Sequence, residues 1–394
     1  MTQHARHEYA AALHARYRVA TKREKGRILD EYCQTAGCHR KAAIRRLCQH
    51  SPPERRRGRG RPRRYGPEMM PALVRLWELS DRLCGKLLAP LLPVLLAALE
   101  RHGARALAPA LRKQVEGLSA ATIDRLLRPV RRQVGHRPRR MAPAGTTLKG
   151  QIPLRTWSEW AAVRPGALQG DLVLHCGEST EGFFLTTLVG VDVATSWTEL
   201  EAVWGLGQQR VGTGVHRLRE RLPFPLREWH TDNGSEFINA VLIPWCHREG
   251  IQVSRGRGYR KNDQAWVEQK NWFVVRRRVG YDRYSSRAAY ALLERLYGLL
   301  RLQLNFFHPV RKLISKQRHG AKVLKRYDAP QTPYQRVLAL GGLSDAQRQA
   351  LERQFLAADP AALAQRIDHT LAALWKLGES PHRGKRVGLG SHLF

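Results

Sequence analysis

At 394 residues with 43% apolar side chains, the chain has room for two to four modules with real cores, which excludes disorder throughout. Its 68 Lys and Arg against 33 Asp and Glu leave a formal charge of +35, a self-repulsion that a polyanion relieves, and nucleic acid is the usual polyanion. The six cysteines are too scattered for a disulfide scaffold and fit a reducing compartment, and no leader-like apolar segment opens the chain.

Residues 1–50 read as helical. Apolar residues at helical spacing run through 22–33 (Ile28, Leu29, Tyr32), Gly37 marks a turn, and 40–48 forms a second short helix. This pattern suits a helix-turn-helix or a plain helical hairpin equally. Cys33, Cys38, Cys48 and His50 lack the paired spacing of a structural zinc site, and buried thiols are expected instead. Residues 51–66 form an Arg-rich linker. Arg55, Arg56, Arg57, Arg59, Arg61, Arg63 and Arg64 surround a Gly-Arg-Pro core resembling an AT-hook, whose arginines enter a narrow minor groove.

Residues 67–133 form a second helical module, with helices expected at 68–80, 91–102, 106–115 and 120–128. The apolar run Leu87–Leu99 is interrupted by Pro90 and Pro93 and is too short to span a bilayer. Here a helix-turn-helix reading is favoured: Gly117 turns the chain, Ser119 caps the next helix, and Ile123, Leu126 and Leu127 face inward. Thr122 and Arg125 then face outward to read DNA. Residues 134–164 make a second basic linker.

From 165 to 300 the period changes from helical to alternating. Strands are expected at 170–175, 183–193, 197–203, 228–231 and 251–254, with helices at 207–221 and 236–249 and a long one from Asp263. That order predicts an α/β core, a five-stranded mixed sheet with flanking helices of ribonuclease-H-like type, preceded by all-α modules. Residues 301–377 read as a basic and then helical region. Its segment Arg311–Arg326 holds seven Lys or Arg and no acid, and is expected to track a DNA backbone with Tyr327 and Tyr334 free for stacking. Residues 343–376 suggest one or two helices, and 378–394 a flexible tail.

Phosphodiester transfer with two metal ions needs carboxylates on rigid elements converging on one point. Three acids meet that need. Asp171 sits on the first strand. Asp232 follows the strand ending in His230-Thr231 and precedes the sharp turn Asn233-Gly234. Glu268 lies early on the last helix. Glu178 and Asp192 are rivals for the first position, although Glu178 falls in a Gly-flanked loop and Asp192 at a hairpin turn.

The run His-Thr-Asp-Asn-Gly-Ser-Glu-Phe (230–237), a gap of 35 residues and Glu268 on the following helix resemble the integrase core of bacterial insertion-sequence transposases and retroviral integrases. The hairpin 187–199 is similar too, and the resemblance spans about 165–285. It implies a DDE transposase, in which Asp171, Asp232 and Glu268 hold two Mg²⁺ ions, with Mn²⁺ as a substitute. Nicking at the element ends is followed by attack of the 3′-hydroxyl on target DNA. The partners implied are double-stranded DNA (terminal inverted repeats and target) and a second copy of the chain, in a prokaryotic cytoplasm at the nucleoid. Relatives often carry a basic residue seven positions after the Glu. Val275 stands there in this chain, so Lys270 or Arg276 is expected to take over, with Arg260 and Lys261 as further DNA contacts. His175, His230 and Asn233 are expected beside the carboxylates. The alternative is a transposase-derived DNA-binding regulator that no longer cuts, for which an intact acid triad has no use.

Overall fold

A computed structural model describes residues 1–48, 65–133, 163–232, 234, 236–237, 239–256 and 264–379. The chain divides into two compact units, Met1–Tyr65 and Gly66–Phe394.

The first unit is helical: α1 (Gln3–Val19), α2 (Lys22–Ala36) and α3 (Arg40–Cys48). Thr21 and Glu24 form the capping box that starts α2, and Gly37, left-handed at φ 57°, stops it. The predicted stripe of Ile28, Leu29 and Tyr32 is buried with Ala43 and Leu47. Cys33 and Cys38 are only half-buried and Cys48 is exposed, contrary to the expected buried thiols. The linker arginines Arg55–Arg64 lie outside the described residues.

The second unit opens with α4 (Met70–Leu79), α5 (Gly85–Arg101), α6 (Pro109–Glu116), α7 (Ala120–Leu126) and α8 (Arg128–Gln133). Helix α5 starts six residues before its expected position and carries Pro90 and Pro93 inside it. Proline removes a backbone donor and strains the turn before it. Burial of Leu88, Leu91, Leu92, Leu95 and Leu96 outweighs that loss. Among the described residues, no helix is long and apolar enough to cross a membrane. Ser119 caps α7 as expected, accepting from the Thr122 amide at 3.3 Å.

The five-stranded mixed sheet is present, in the order β3-β2-β1-β4-β5: β1 (Ala167–Leu174), β2 (Thr186–Asp192), β3 (Thr198–Val203), β4 (Glu228–Thr231) and β5 (Gln252–Arg255). Strands β1, β2 and β3 pair antiparallel, while β4 runs parallel to β1 and β5 parallel to β4. Helix α9 (Gln208–Glu220) covers the face carrying Leu188 and Gly190. Helix α10 (Leu242–Arg248) starts later than expected, because the Asn239 side chain accepts from the Val241 and Leu242 amides and holds the preceding residues in a turn. Helix α11 (Ala265–Lys270) packs on β1 and β2 and runs directly into a π-helical turn, Asn271–Arg276.

The long helix α12 (Arg287–Phe307) passes through residue 300 without a break and packs along β3. There Asn305 exchanges two 2.9 Å hydrogen bonds with the Thr198 backbone and so covers part of the sheet edge. The basic segment that follows is an antiparallel hairpin, β6 (Leu313–His319) and β7 (Lys322–Tyr327). A further helix, α13 (Pro333–Leu340), precedes the expected helical end, which is α14 (Asp345–Ala357) and α15 (Pro360–Lys376). Tyr334 is not free for stacking on bases: its ring lies 4.7 Å from Phe355 and packs on Phe306. The tail from 380 lies outside the described residues.

Candidate active site

Side chains alternate across a strand, and paired residues of neighbouring strands share a face. Gln169 is in register with His230 across the parallel pair β1–β4. Two residues further along β1 comes Asp171, and Asp232 follows the end of β4 within electrostatic reach of it. The same face receives α11: the Gln169 side-chain oxygen accepts from the Trp266 and Val267 amides at 3.2 and 3.3 Å. Those are donors of the first helical turn, so Gln169 docks the helix bearing Glu268 onto the strand bearing Asp171.

Three acids within reach of one another repel. Burial, together with the negative fields of Asp232 and then Glu268, pushes the half-buried Asp171 carboxyl up to about 7. Two hydrogen bonds oppose this rise. Asp171 Oδ1 accepts from the Leu172 amide at 2.8 Å, and Oδ2 accepts from Asn271 Nδ2 at 2.6 Å. Asp232 and Glu268 are both exposed. The Gly234 amide donates to Asp232 Oδ1 at 2.9 Å, the sharp turn expected after this carboxylate. Among the described residues, no group of three or more His, Cys, Asp or Glu closes around a common point as a formed metal site.

The π-helical turn supplies what the sequence did not reveal. Residues five apart stand on opposed flanks of an α-helix, but the wider i→i+5 turn brings them nearly into line. Asn271 and Arg276 are five apart, and both reach Asp171: Asn271 by its hydrogen bond, Arg276 through its favourable field. Arg276, half-buried and stacked 5.0 Å from the Tyr281 ring, is the cation of this turn whose field reaches Asp171. Lys270, the other candidate, is only 5% exposed, and burial followed by the field of Arg278 lowers its ammonium to about 8. A withdrawn lysine of that kind is a poor phosphate contact, so the structure corrects the expectation for Lys270. The π-turn also leaves Trp272 49% exposed beside Asn271.

His175 is fully buried, with Nε2 2.7 Å from Thr187 Oγ1 and its ring edge-on to Tyr284. Burial and then the Arg276 field lower it to about 3, so it is a neutral packing residue rather than one that orients phosphate. His230 is also buried; its Nδ1 lies 2.9 Å from Ser254 Oγ, which donates to Glu228 at 2.6 Å. Asp192 is excluded from the acid cluster: its oxygens accept from Gly166 and Thr195 at 2.6–2.8 Å and shape the β2–β3 turn. Glu178 is exposed in its loop. Thr122 is half-buried and takes the Ser119 hydroxyl at 2.9 Å, so it does not face freely outward, whereas Arg125 is exposed. Asn233, Arg260 and Lys261 lie outside the described residues.

No family model matches the chain. Among solved structures it is similar to the catalytic core domain of BIV integrase, at 20% identity with a TM-score of 0.29, over 44% of this chain and 94% of that one. Among curated proteins it is similar to the uncharacterized protein y4rM of Sinorhizobium fredii, 45% identical over 333 residues, which span 84% of this chain and 94% of that protein. Identity at that level over nearly the whole of both chains means that the chain belongs to the y4rM family.

Proposed function

We propose that this protein is a DNA transposase of the DDE type, a polynucleotidyl transferase that nicks the ends of an element and joins the freed 3′-hydroxyl to target DNA. The observation that carries the reading is the placement of the acids: Gln169 docks α11, which bears Glu268, onto β1, which bears Asp171, and Asp232 and Glu268 both lie within electrostatic reach of Asp171. Three acids brought within reach of one another, one of them half-buried, form a negative site that a bound cation would neutralise. The donor set is all oxygen, which fits Mg²⁺, with Mn²⁺ as a substitute, and Asp171, Asp232 and Glu268 would hold the ions. When bound, such ions activate the attacking oxygen and stabilise the leaving one.

The chain's own residues have separate tasks in this reading. Gln169 keeps α11 seated so that Glu268 faces the sheet. Asn271 fixes the orientation of the Asp171 carboxylate. Arg276 offers a positive group to a phosphate drawn to the acids. The sheet order, with the acids at the parallel β1–β4 pair, suits a ribonuclease-H-like core. The two N-terminal helical modules would recognise the element ends, with Arg125 and the linker arginines in contact with DNA, and two or more copies would act together.

The test joins a labelled oligonucleotide, carrying the DNA termini that flank the protein's own reading frame, to a plasmid in Mg²⁺. The wild type is expected to give joined products. Asp232→Asn and Glu268→Gln remove charge at nearly constant shape and are expected to lower joining at least about 10²-fold, the scale on which one preorganised charge acts. Tight binding of those termini without joining by any protein would sink the reading and favour the regulator.

A further inference from the structure

The hairpin β6–β7 is unlike every other strand pair among the described residues. It joins no larger sheet, and nearly all of its residues from Ile314 to Tyr327 are exposed. An isolated two-stranded hairpin is marginal in water. This one also carries a dense charge of one sign, seven Lys or Arg within Arg311–Arg326, and like charges repel. No acid lies between Arg311 and Tyr327 to offset them.

The root, in contrast, is clamped. Asp328 accepts from the Lys312 amide and from Arg336, both at 2.6 Å, and the Lys312 ammonium donates to the Ala194 carbonyl of the β2–β3 turn at 2.7 Å. A clamped base thus carries a ribbon whose strands pair only with each other among the described residues.

Alternation places Arg318 and Lys325 on one face and His319 and Arg326 on the other. A flat anionic surface, such as a lipid headgroup layer, meets one face of a ribbon and leaves the second set of cations unpaired. A groove with phosphates on both walls meets both. The major groove of B-form DNA is wide enough for a two-stranded ribbon, whereas the deep, narrow major groove of duplex RNA is not. Ile314 and Leu324, 61% and 46% exposed amid the charges, suit contact with thymine methyl groups, which project only into that groove.

The geometry points to the β6–β7 ribbon as an arm that enters the major groove of duplex DNA, contacting phosphates of both walls from its two faces. This deepens the transposase reading and rests on it only for the identity of the polyanion.

The test measures duplex DNA binding by fluorescence anisotropy in EDTA over a range of salt, so that the carboxylates play no part. The full chain is compared with a variant carrying Arg318→Ala, Lys325→Ala and Arg326→Ala. Each phosphate contact contributes about 0.9 to the log–log salt slope, so the variant is expected to lose about 2.7 from the slope and on the order of 10²-fold in affinity. Methylation of guanine N7, which lies in the major groove, is expected to weaken the wild type at positions where it no longer affects the variant. A second variant, Ile314→Ser with Leu324→Ser, keeps every charge. It is expected to keep the slope and lose affinity for duplexes rich in A·T pairs. An unchanged slope in a folded triple variant would overturn the inference while leaving the transposase reading intact. So would equal competition by duplex RNA, or insensitivity of the wild type to N7 methylation. Failure of the wild type to bind duplex DNA at all would overturn both.

Discussion

Asp171 owes its chemistry to its neighbours rather than to its type. A solvated aspartate is ionised well below neutral pH, whereas this one holds its proton up to about 7 through burial and two like charges. The sign of the consequence follows. A cation must displace that proton, so affinity is limited below pH 7 and reaches its plateau above it. Mg²⁺ affinity is expected to fall about tenfold per pH unit below 7, with nearly one proton released per binding event at pH 6 and few at pH 8. Calorimetry in buffers of different ionisation heat checks this, and a pH-independent affinity in the wild type would remove Asp171 from the metal-binding set. Asp232 and Glu268 were legible as residues because a turn dipeptide and a helix start flank them. Asn271 was not, since nothing in Lys-Asn-Trp marks a π-turn or shows that an amide points at a residue 100 positions earlier.

At the scale of elements, packing within the helical module, and between it and the α/β core, rests on residues the sequence marks only faintly. Gly85 opens α5, and its amide donates to Asp124 of α7 at 2.8 Å. A Cβ on Gly85 would stand 2.2 Å from the Ala120 carbonyl oxygen, a backbone atom that cannot swing away. Gly85→Ala is therefore expected to destabilise by about 1–3 kcal/mol, the usual cost of overpacking. Hydrogen exchange is expected to show lost protection in α7 with the sheet unaffected. Full retention of the urea midpoint would mean that the α5–α7 contact relaxes freely. At the other side of the module, Asp81 binds Arg277 and Arg278 at 3.2 and 3.1 Å, just past the π-turn that carries Asn271 and Arg276. Element types were readable because apolar periods of two and of nearly four are intrinsic to strands and helices. Boundaries failed where packing overrode local preference, as with the prolines inside α5, or where a side chain took over a backbone donor, as with Asn239 before α10.

For the molecule as a whole, the governing quantity is the charge of +35. Such repulsion is screened over about 10 Å at 0.1 M salt. Thermal stability in EDTA is therefore expected to rise as salt increases from low to moderate concentration, and to rise again when duplex DNA binds the folded state. Differential scanning fluorimetry checks both. A melting temperature insensitive to salt and to DNA would mean that the basic side chains are already neutralised within the fold.

Read alone, the sequence determined the strand and helix order, the sheet class, the acids worth testing and the strongly basic character of the chain. These are properties of local period, composition and spacing along the chain. Tertiary structure alone decided the rest, because it depends on which distant residues meet. The parallel pairing of β1 with β4 brings Asp171 within the field of Asp232, while Asp192 is held in a turn. The π-turn sends Arg276 toward the acids and Lys270 into the interior, a choice that spacing from Glu268 cannot make because the helical period changes just after it. A run of basic residues becomes a two-faced ribbon only because its strands pair with each other and with nothing else among the described residues.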